Sequence, residues 1–394
     1  MGVADVGERS VAATEVAPGP AEAAPAGPQP LAAAVLGLQR AAGNRATAEW
    51  VAARVQRKPK TKPKPKPKDP VDTFIAAGKW VEAADAMSEL PDTEIEARIK
   101  KLKAKQRERL MQGAREIERT AWTDPLINAM EKVDPRSANV GSLRWARASG
   151  FITRADLWFA GLTADDARKV AHELTFSRDQ LLQIIAADAN LAQVFKDPWA
   201  YVPKAERMLY VMNLLVDTHG YPVNGAAGIV GNLTGESSLI PSRIEGSSEA
   251  TPTRSADFQG KVTDWTDEEI RDRDFKAKTG PRLPGVGLAQ WTTAPRRTGF
   301  FARPGGTALL YDMDGQVDYL VDELAASFST LDTKLRNANT TVQAAADAFL
   351  EKFENPADPE ASRSARRGAA ERAAKLYKDA HAAPAAPAPA PAGP

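Results

Sequence analysis

An all-α fold is predicted by the spacing of apolar residues in two long stretches of this chain. From residue 71 to about residue 202, aromatic and aliphatic side chains recur every three or four positions, as they do along the buried face of a helix. The same spacing continues through residues 205–220. Thr, Gly and Pro gather in residues 243–290, so a small β-hairpin is expected there within a helical framework.

Composition divides the chain into five segments. In chain order these are a disordered head that ends in a short amphipathic helix over residues 31–56 (1–56), a Lys/Pro spacer (57–70), a small helical module (71–202), a second, larger domain (203–380) and a disordered Ala/Pro tail (381–394). Ala, Pro and Gly without apolar periodicity predict disorder at both ends. Alternating Lys and Pro predict an extended spacer, because proline blocks helix formation and the lysines repel one another.

The overall composition excludes several classes of function. A formal net charge of +1 over 394 residues gives no global attraction to nucleic acid or to anionic membranes. Cysteine is absent, which excludes disulfides, thiolate metal sites and cysteine nucleophiles. No apolar stretch reaches the ~18 residues that span a bilayer, and residues 1–20 do not have the pattern of a secretory signal peptide. We therefore expect synthesis in the cytoplasm, no integral membrane segment and no nucleic-acid partner.

Cofactor chemistry is not indicated either. No cluster has the ligand spacing of a zinc or calcium site, and no glycine-rich phosphate loop is present. Ser237 and Ser238 do not lie in a Gly-x-Ser-x-Gly sequence, and the chain has three histidines, so a serine nucleophile is disfavoured. We expect no metal and no cofactor.

Four glycines share one face of a helix that is expected to begin near Pro222. Gly225, Gly228, Gly231 and Gly235 are three, three and four residues apart. Each glycine costs a helix roughly 1 kcal/mol relative to alanine. Their presence therefore indicates that something approaches this face closely, either another helix or a substrate.

Glu236 follows the last of these glycines, at the expected C-terminal end of the helix and beside Leu239 and Ile240. A helix C-terminus and an apolar wall both favour the protonated form of a carboxylic acid. A glycosidase needs that form in the group that protonates the leaving oxygen. A surface glutamate at a helix end is the commoner arrangement, so the residue alone does not decide between the two.

Five short sequence elements follow one another in the second domain. They are Ala226 to Asn232, Glu236-Ser237 to Pro241, Gly287-Leu288-Ala289-Gln290-Trp291, Gln316 to Glu323-Leu324, and Phe353-Glu354-Asn355-Pro356. Their content and order resemble the phage tail lysozyme family, which is related to goose-type lysozymes and lytic transglycosylases. The resemblance covers under half of the chain, and its specificity comes from five elements in one order.

The resemblance implies a lysozyme-like domain that binds peptidoglycan glycan strands. It would cut the β-1,4 bond between N-acetylmuramic acid and N-acetylglucosamine, with Glu236 as the general acid. Gln290 and Trp291 match the element that lines the cleft in this superfamily, and Ser237 adjoins Glu236, so all three are expected at the substrate. Gln290 would hydrogen-bond an acetamido or hydroxyl group, and Trp291 would either stack on a sugar or lie in the core.

A second catalytic carboxylate is harder to assign from the sequence. The candidates are the four acidic residues Glu245, Glu249, Asp257 and Asp264. Glu245 is the closest to Glu236 along the chain and is the one we select. Many relatives use a single glutamate, with attack by water or by the substrate's own 6-hydroxyl group. Glu354, in the last element, is expected to be structural, as a capping residue or paired with Arg296 or Arg297.

The N-terminal segment gives a separate indication. Residues 36–46, LGLQRAAGNRA, resemble a short Leu-Gln-Arg-x-x-Gly-Asn-x-Ala element of proteins encoded with extracellular contractile injection systems. An ordinary amphipathic helix has the same pattern. The resemblance implies that residues 31–56 dock to components of a phage-tail-like particle, which would deliver the enzyme to a cell wall as an effector. A non-catalytic peptidoglycan-binding module and a structural component of the particle are the competing hypotheses.

Overall fold

The computed structural model describes residues 69–117, 124–257, 259–272, 275–277, 280–282 and 284–382. The predicted disordered head, the amphipathic helix over 31–56, the Lys/Pro spacer up to residue 68 and the tail from residue 383 lie outside this range. The described residues form helices joined by loops, with two small sheets, which confirms the predicted all-α class. Within them, no helix is both long enough and apolar enough to cross a membrane.

Short helices fill the helical module, which we define as residues 70–202. They are α1 (Pro70–Ala76), α2 (Trp80–Ser88), α3 (Asp92–Lys101), α4 (Ala104–Ile117), α5 (Pro125–Val133), α6 (Pro135–Ser149), α7 (Ala155–Ala160), α8 (Ala164–Leu174), α9 (Arg178–Ala187), α10 (Ala189–Val194) and a 3-10 turn (Pro198–Tyr201). The spacer was expected to extend to residue 70, but α1 already begins there, because the Asp69 side chain accepts a hydrogen bond from the Val71 N–H.

Asp-Pro pairs begin several of these helices. Asp69, Asp124, Asp134 and Asp197 each precede a proline, and each side chain accepts backbone N–H groups of the first turn. Aspartate satisfies N–H groups that lack a partner within the helix. Proline at the first helical position loses no hydrogen bond. The local sequence therefore determines where these helices begin.

The C-terminal domain, residues 203–380, contains the larger hydrophobic core. Its helical elements are α11 (Lys204–Asn213), which continues as a π-helical turn (Leu214–Thr218), α12 (Val223–Ser237), α13 (Asp267–Asp272), α14 (Ala294–Phe301), a 3-10 turn (Gly306–Tyr311), α15 (Met313–Ser327), α16 (Ser329–Leu335), α17 (Val342–Phe349), a second π-helical turn (Leu350–Glu354) and α18 (Glu360–Ala380). Trp199 and Val202 of the module pack into this core, and Ile240 packs into a core of the module.

Helix α12 lies at the centre of the C-terminal domain, and its glycines are contacted by other helices. A Cβ atom at Gly225 would overlap the carbonyl oxygen of Leu335 at the end of α16. At Gly228 it would lie 2.5 Å from the Cβ of Ala345 in α17, and at Gly231 it would lie 2.6 Å from a carbonyl oxygen of α18. The structure thus decides between the two alternatives: protein segments, rather than substrate, require these glycines.

The segment between α12 and α14 carries the predicted hairpin. Strands β1 (Arg254–Ala256) and β2 (Val262–Asp264) pair antiparallel, and so do β3 (Phe275–Ala277) and β4 (Gly280–Arg282).

Buried Gln316 of α15 holds the loop that contains Leu288 through hydrogen bonds of its side-chain amide. Its Oε1 accepts from the Leu288 N–H at 2.8 Å, and its Nε2 donates to the carbonyl oxygens of Pro241 and Leu309 at 3.0 and 2.8 Å.

Candidate active site

A cleft of about 380 Å³ opens beside the C-terminal end of α12. Three of the sequence-predicted site residues, Glu236, Glu245 and Gln290, line it together with Arg296 and Glu354. These residues come from the helix end, the loop after it, the Gly-Leu-Ala-Gln-Trp loop, α14 and the second π-helical turn. Tertiary folding therefore brings together groups that lie as far as 118 positions apart (354 − 236).

Glu236 stands on the last turn of α12, as predicted, but its surroundings are not apolar. Ser238 and Leu239 have φ of 57° and 58°, and this turn carries Leu239 and Ile240 into buried positions. Arg366 of α18 instead donates a hydrogen bond to Glu236 Oε1 and another to the carbonyl oxygen of Asn232. The Glu236 side chain is 24% exposed, so solvent and a ligand can both reach this ion pair.

Glu245 lies in the same cleft, and two hydrogen bonds join it to Gly285 in the loop that follows β4. Its Oε2 accepts from the Gly285 N–H at 3.1 Å, and its own N–H donates to the Gly285 carbonyl at 2.8 Å. The remaining carboxylate candidates have structural contacts. Asp257 caps a turn by accepting from the Gln259 and Lys261 N–H groups, and Asp264 pairs with Arg254 at 2.6 Å.

Glu249 also holds the framework rather than the cleft. Burial acts to raise its pKa, but hydrogen bonds from Ser238 and Lys204 and the charges of Lys204 and Arg207 prevail and lower the pKa to about 2. It therefore stays ionised, and it joins α11 to the loop that follows α12.

Gln290 is placed at the cleft by a backbone φ of 47°. Its Nε2 donates to the carbonyl oxygens of Arg243 and Gly287, both at 2.9 Å. Both amide protons are thus used within the loop, and the Oε1 atom is the part of the amide left for a ligand. In the expected contact with a sugar, Gln290 would therefore accept a hydrogen bond rather than donate one.

Trp291 and Ser237 are not at the cleft, contrary to the expectation that they bind substrate. Trp291 is fully buried, its indole N–H donates to Glu323 Oε2 at 2.8 Å, and its ring packs against Phe300 and Tyr319. The structure therefore selects the core alternative for Trp291. Ser237 is also buried, and its hydroxyl bonds the Leu233 carbonyl and the Leu239 N–H at the helix end.

Arg296 and Arg297 are committed to other partners, so the expected pairing of either with Glu354 is wrong. Arg296 donates to both oxygens of Glu323, at 2.6 and 2.9 Å, and its guanidinium lies 4.4 Å from the Phe353 ring centre. Arg297 donates to the carbonyl oxygens of Pro284 and Ile270. Glu323 is the carboxylate that the tertiary structure gives to Arg296, and the Oε2 atom of Glu323 also accepts the indole N–H of Trp291.

Glu354 is a cleft residue that the sequence assigned to the framework. Its Oε1 is shielded from solvent, and no described residue donates a hydrogen bond to that atom. Burial, and secondly the charge of Glu236, raise the pKa of Glu354 well above its ordinary value, while Arg366 and Arg296 act in the opposite direction. The Phe-Glu-x-Pro element was the signal that could have pointed to it.

Carboxyl and guanidinium groups supply the chemistry of this cleft. Within the part of the chain that the structure describes, no group of three or more His, Asp or Glu residues is arranged to hold a metal ion. A pair of acidic groups in a polar groove can transfer protons to and from a glycosidic oxygen and a nucleophile.

Comparison with known proteins agrees with that chemistry. No curated protein and no solved structure matches the chain. One family model does match, and it covers residues 206–377, the segment that contains the whole cleft. The family is described as phage tail lysozyme, so this part of the chain is similar to a lysozyme-like peptidoglycan hydrolase.

Proposed function

We propose that residues 203–380 form a hydrolase of peptidoglycan in which Glu236 is the general acid. It cleaves the β-1,4 bond between N-acetylmuramic acid and N-acetylglucosamine. The observation that carries this proposal is the convergence of Glu236, Glu245 and Gln290 on one cleft inside the segment that matches the phage tail lysozyme family. A non-catalytic framework would not require acidic groups from separate elements to meet at a solvent-accessible groove.

The groove suits a glycan in its polarity. Gln290 Oε1 can accept from a hydroxyl or acetamido N–H group, and Arg243 on the lining can donate. Glu236 gives its proton to the bridging oxygen as the bond from that oxygen to the anomeric carbon breaks. Glu245 is the candidate to take a proton from an attacking water. Attack by the 6-hydroxyl group of the sugar would give a 1,6-anhydro end instead.

The test is mass spectrometry of the fragments that the full chain releases from purified peptidoglycan. Reducing N-acetylmuramic acid ends identify hydrolysis, and 1,6-anhydro ends identify transglycosylation. Removal of a general acid lowers the rate by about 10²- to 10⁴-fold, so Glu236→Gln should release almost nothing. Glu371→Gln, an exposed position of α18, is the matched control and should behave as the wild type. Binding to the wall without release of fragments would favour the non-catalytic binding module.

We also propose that the protein reaches the wall as a component or cargo of a contractile injection particle. The support is the sequence of residues 36–46, which lies outside the described residues. Purified particles from cells that express the chain with and without residues 31–56 test the idea. Loss of the protein from particles that lack the segment supports docking, and equal amounts in both overturn it. A fixed stoichiometry in emptied particles would favour the structural role.

A further inference from the structure

Glu354 carries a carboxyl group that neither the fold nor the proposed reaction uses so far. It ends the second π-helical turn, and Asn355 follows it with a φ of 46°, which turns the chain towards α18. The side chain lines the same cleft as Glu236. Its neighbour Phe353 packs in the core against Phe328 and Phe349, and this packing holds the turn in place. The carboxyl group itself is not needed as an anchor.

The surroundings of Glu354 disfavour its charged form. The shielded Oε1 atom receives no hydrogen bond from the described residues, and an ionised carboxylate without donors is costly to bury. The two nearby guanidinium groups are occupied, Arg296 by Glu323 and Arg366 by Glu236. These surroundings favour the protonated form of Glu354, whereas Glu236 contacts a guanidinium.

The charged groups around Glu354 come from several elements. They are Glu236 at the end of α12, Arg296 of α14, Glu323 of α15 and Arg366 of α18, with Arg243 and Glu245 on the cleft lining from the loop after α12. Glu323 and Arg296 neutralise each other. Acidic groups then outnumber basic ones beside the end of α12, where two carboxyl groups, Glu236 and Glu354, lie near one cation, Arg366.

We infer that Glu236 and Glu354 share one proton, and that Glu354 is the positioning residue that keeps this proton available to Glu236 at neutral pH. Two carboxyl groups beside one cation are most stable when one of them is neutral. Because the two groups interact, their protons are released in steps that belong to the pair. This inference rests on the proposed function, in which Glu236 acts on a glycosidic bond.

The proton balance of the reaction closes through the carboxyl pair and Glu245. The proton passes from the Glu354 carboxyl to the Glu236 carboxylate, and Arg366 then balances the charge left on Glu354. Glu236 gives the proton to the bridging oxygen, which also takes the electron pair of the broken bond to the anomeric carbon. The attacking water or 6-hydroxyl group bonds to that carbon and loses one proton, which Glu245 accepts and solvent carries back to the carboxyl pair.

The pH dependence of fragment release by the full chain tests this arrangement. Glu354→Gln keeps the size of the side chain and removes its ability to ionise. Because the two carboxyl groups hold the proton together, replacing one of them with an amide should move the alkaline limb of the profile towards acid. A limb that moves by one pH unit lowers the rate above it by about tenfold, while the rate at acidic pH is largely kept. Glu351→Gln, an exposed position of the same turn, should leave the limb in place.

A uniform loss of rate with an unmoved limb would overturn the inference, because that is the effect of a purely structural residue. Glu354→Asp, which retains an ionisable group, should lie closer to the wild-type profile than Glu354→Gln. Infrared spectroscopy of the wild type gives a second readout that does not need activity. A protonated carboxyl band should persist at neutral pH and disappear in Glu354→Gln, and its absence from the wild type would overturn the inference.

The outcomes separate this inference from the proposed function. If the wild type releases no fragments from any wall, the proposed function fails and the role of Glu354 fails with it. If Glu236→Gln abolishes release but Glu354→Gln leaves the pH limb unmoved, the proposed function stands and the inference alone is overturned.

Discussion

The helical module and the cleft of the C-terminal domain use the same packing devices but differ in how an acidic side chain is paired. Both bring helices close at glycines: a Cβ at Gly141 of the module would lie 2.5 Å from the Glu108 carbonyl oxygen, much as Gly228 meets Ala345 in the C-terminal domain. In the module, the buried Glu108 side chain is paired with Arg144 at 3.2 Å and lies 3.6 Å from Arg136. At the cleft, the shielded Oε1 atom of Glu354 has no hydrogen-bond partner among the described residues.

This difference indicates that the cleft, rather than the helical module, contains a group that lowers stability when it is charged. A buried carboxylate with partners is compatible with a framework, whereas one without donors lowers stability unless it stays neutral. Departures from local consistency are expected at functional sites. The unpartnered Oε1 atom of Glu354 therefore distinguishes the cleft from the module, where the buried acid Glu108 is paired.

The largest expected effect is on the free energy of unfolding. It tests whether the helical module and the C-terminal domain depend equally on close packing at glycine. Gly225→Ala places a Cβ against the backbone carbonyl of Leu335, which cannot move as a side chain can. We expect a loss of about 3 kcal/mol, at the upper end for overpacking, seen in urea unfolding. Gly141→Ala should cost a similar amount. Gly368→Ala in α18, where the nearest atom is 3.6 Å away, is the control and should gain about 0.5–1 kcal/mol.

A second variant would remove a partner from the buried acid of the helical module, so that this acid resembles the one at the cleft. Arg144→Met leaves Glu108 buried with Arg136 as its remaining partner. Breaking a buried pair costs about 3–5 kcal/mol, and the remaining arginine should reduce this to the lower end. Chemical denaturation measures the loss, and Glu108→Gln in the same chain should recover part of it. If Arg144→Met is as stable as the wild type, the contrast between paired and unpaired acids has no energetic basis.

The smallest effect concerns the stability of the cleft itself. Because the pKa of Glu354 is raised in the folded chain, mainly by burial and then by Glu236, its contribution to stability is present at low pH. That contribution is lost as the pH rises from the ordinary glutamate value towards the folded value. Glu354→Gln cannot ionise, so its Tm relative to the wild type should rise with pH. A Tm difference that is the same at all pH values would contradict a raised pKa.

Much of this protein was determined by local sequence. The Asp-Pro pairs begin helices because cap and proline act within one turn, and α12 ends beside Glu236 as predicted. The order of five short elements indicated the lysozyme-like segment that the family match covers. It also led to Gln290, and proximity along the chain led to Glu245; the structure places both in the same cleft as Glu236.

Tertiary structure alone decided which side chains are buried and which charges meet. Arg366 reaches Glu236 from 130 residues away, and Glu323 accepts hydrogen bonds from Arg296 and the Trp291 indole. The Oε1 atom of Glu354 receives no hydrogen bond from the residues that the structure describes. Helix starts depend on hydrogen bonds between near neighbours, so a short window of sequence contains their cause. Burial and ion pairing depend on groups that become neighbours only when distant helices pack, and no local pattern specifies which of several arginines will be free.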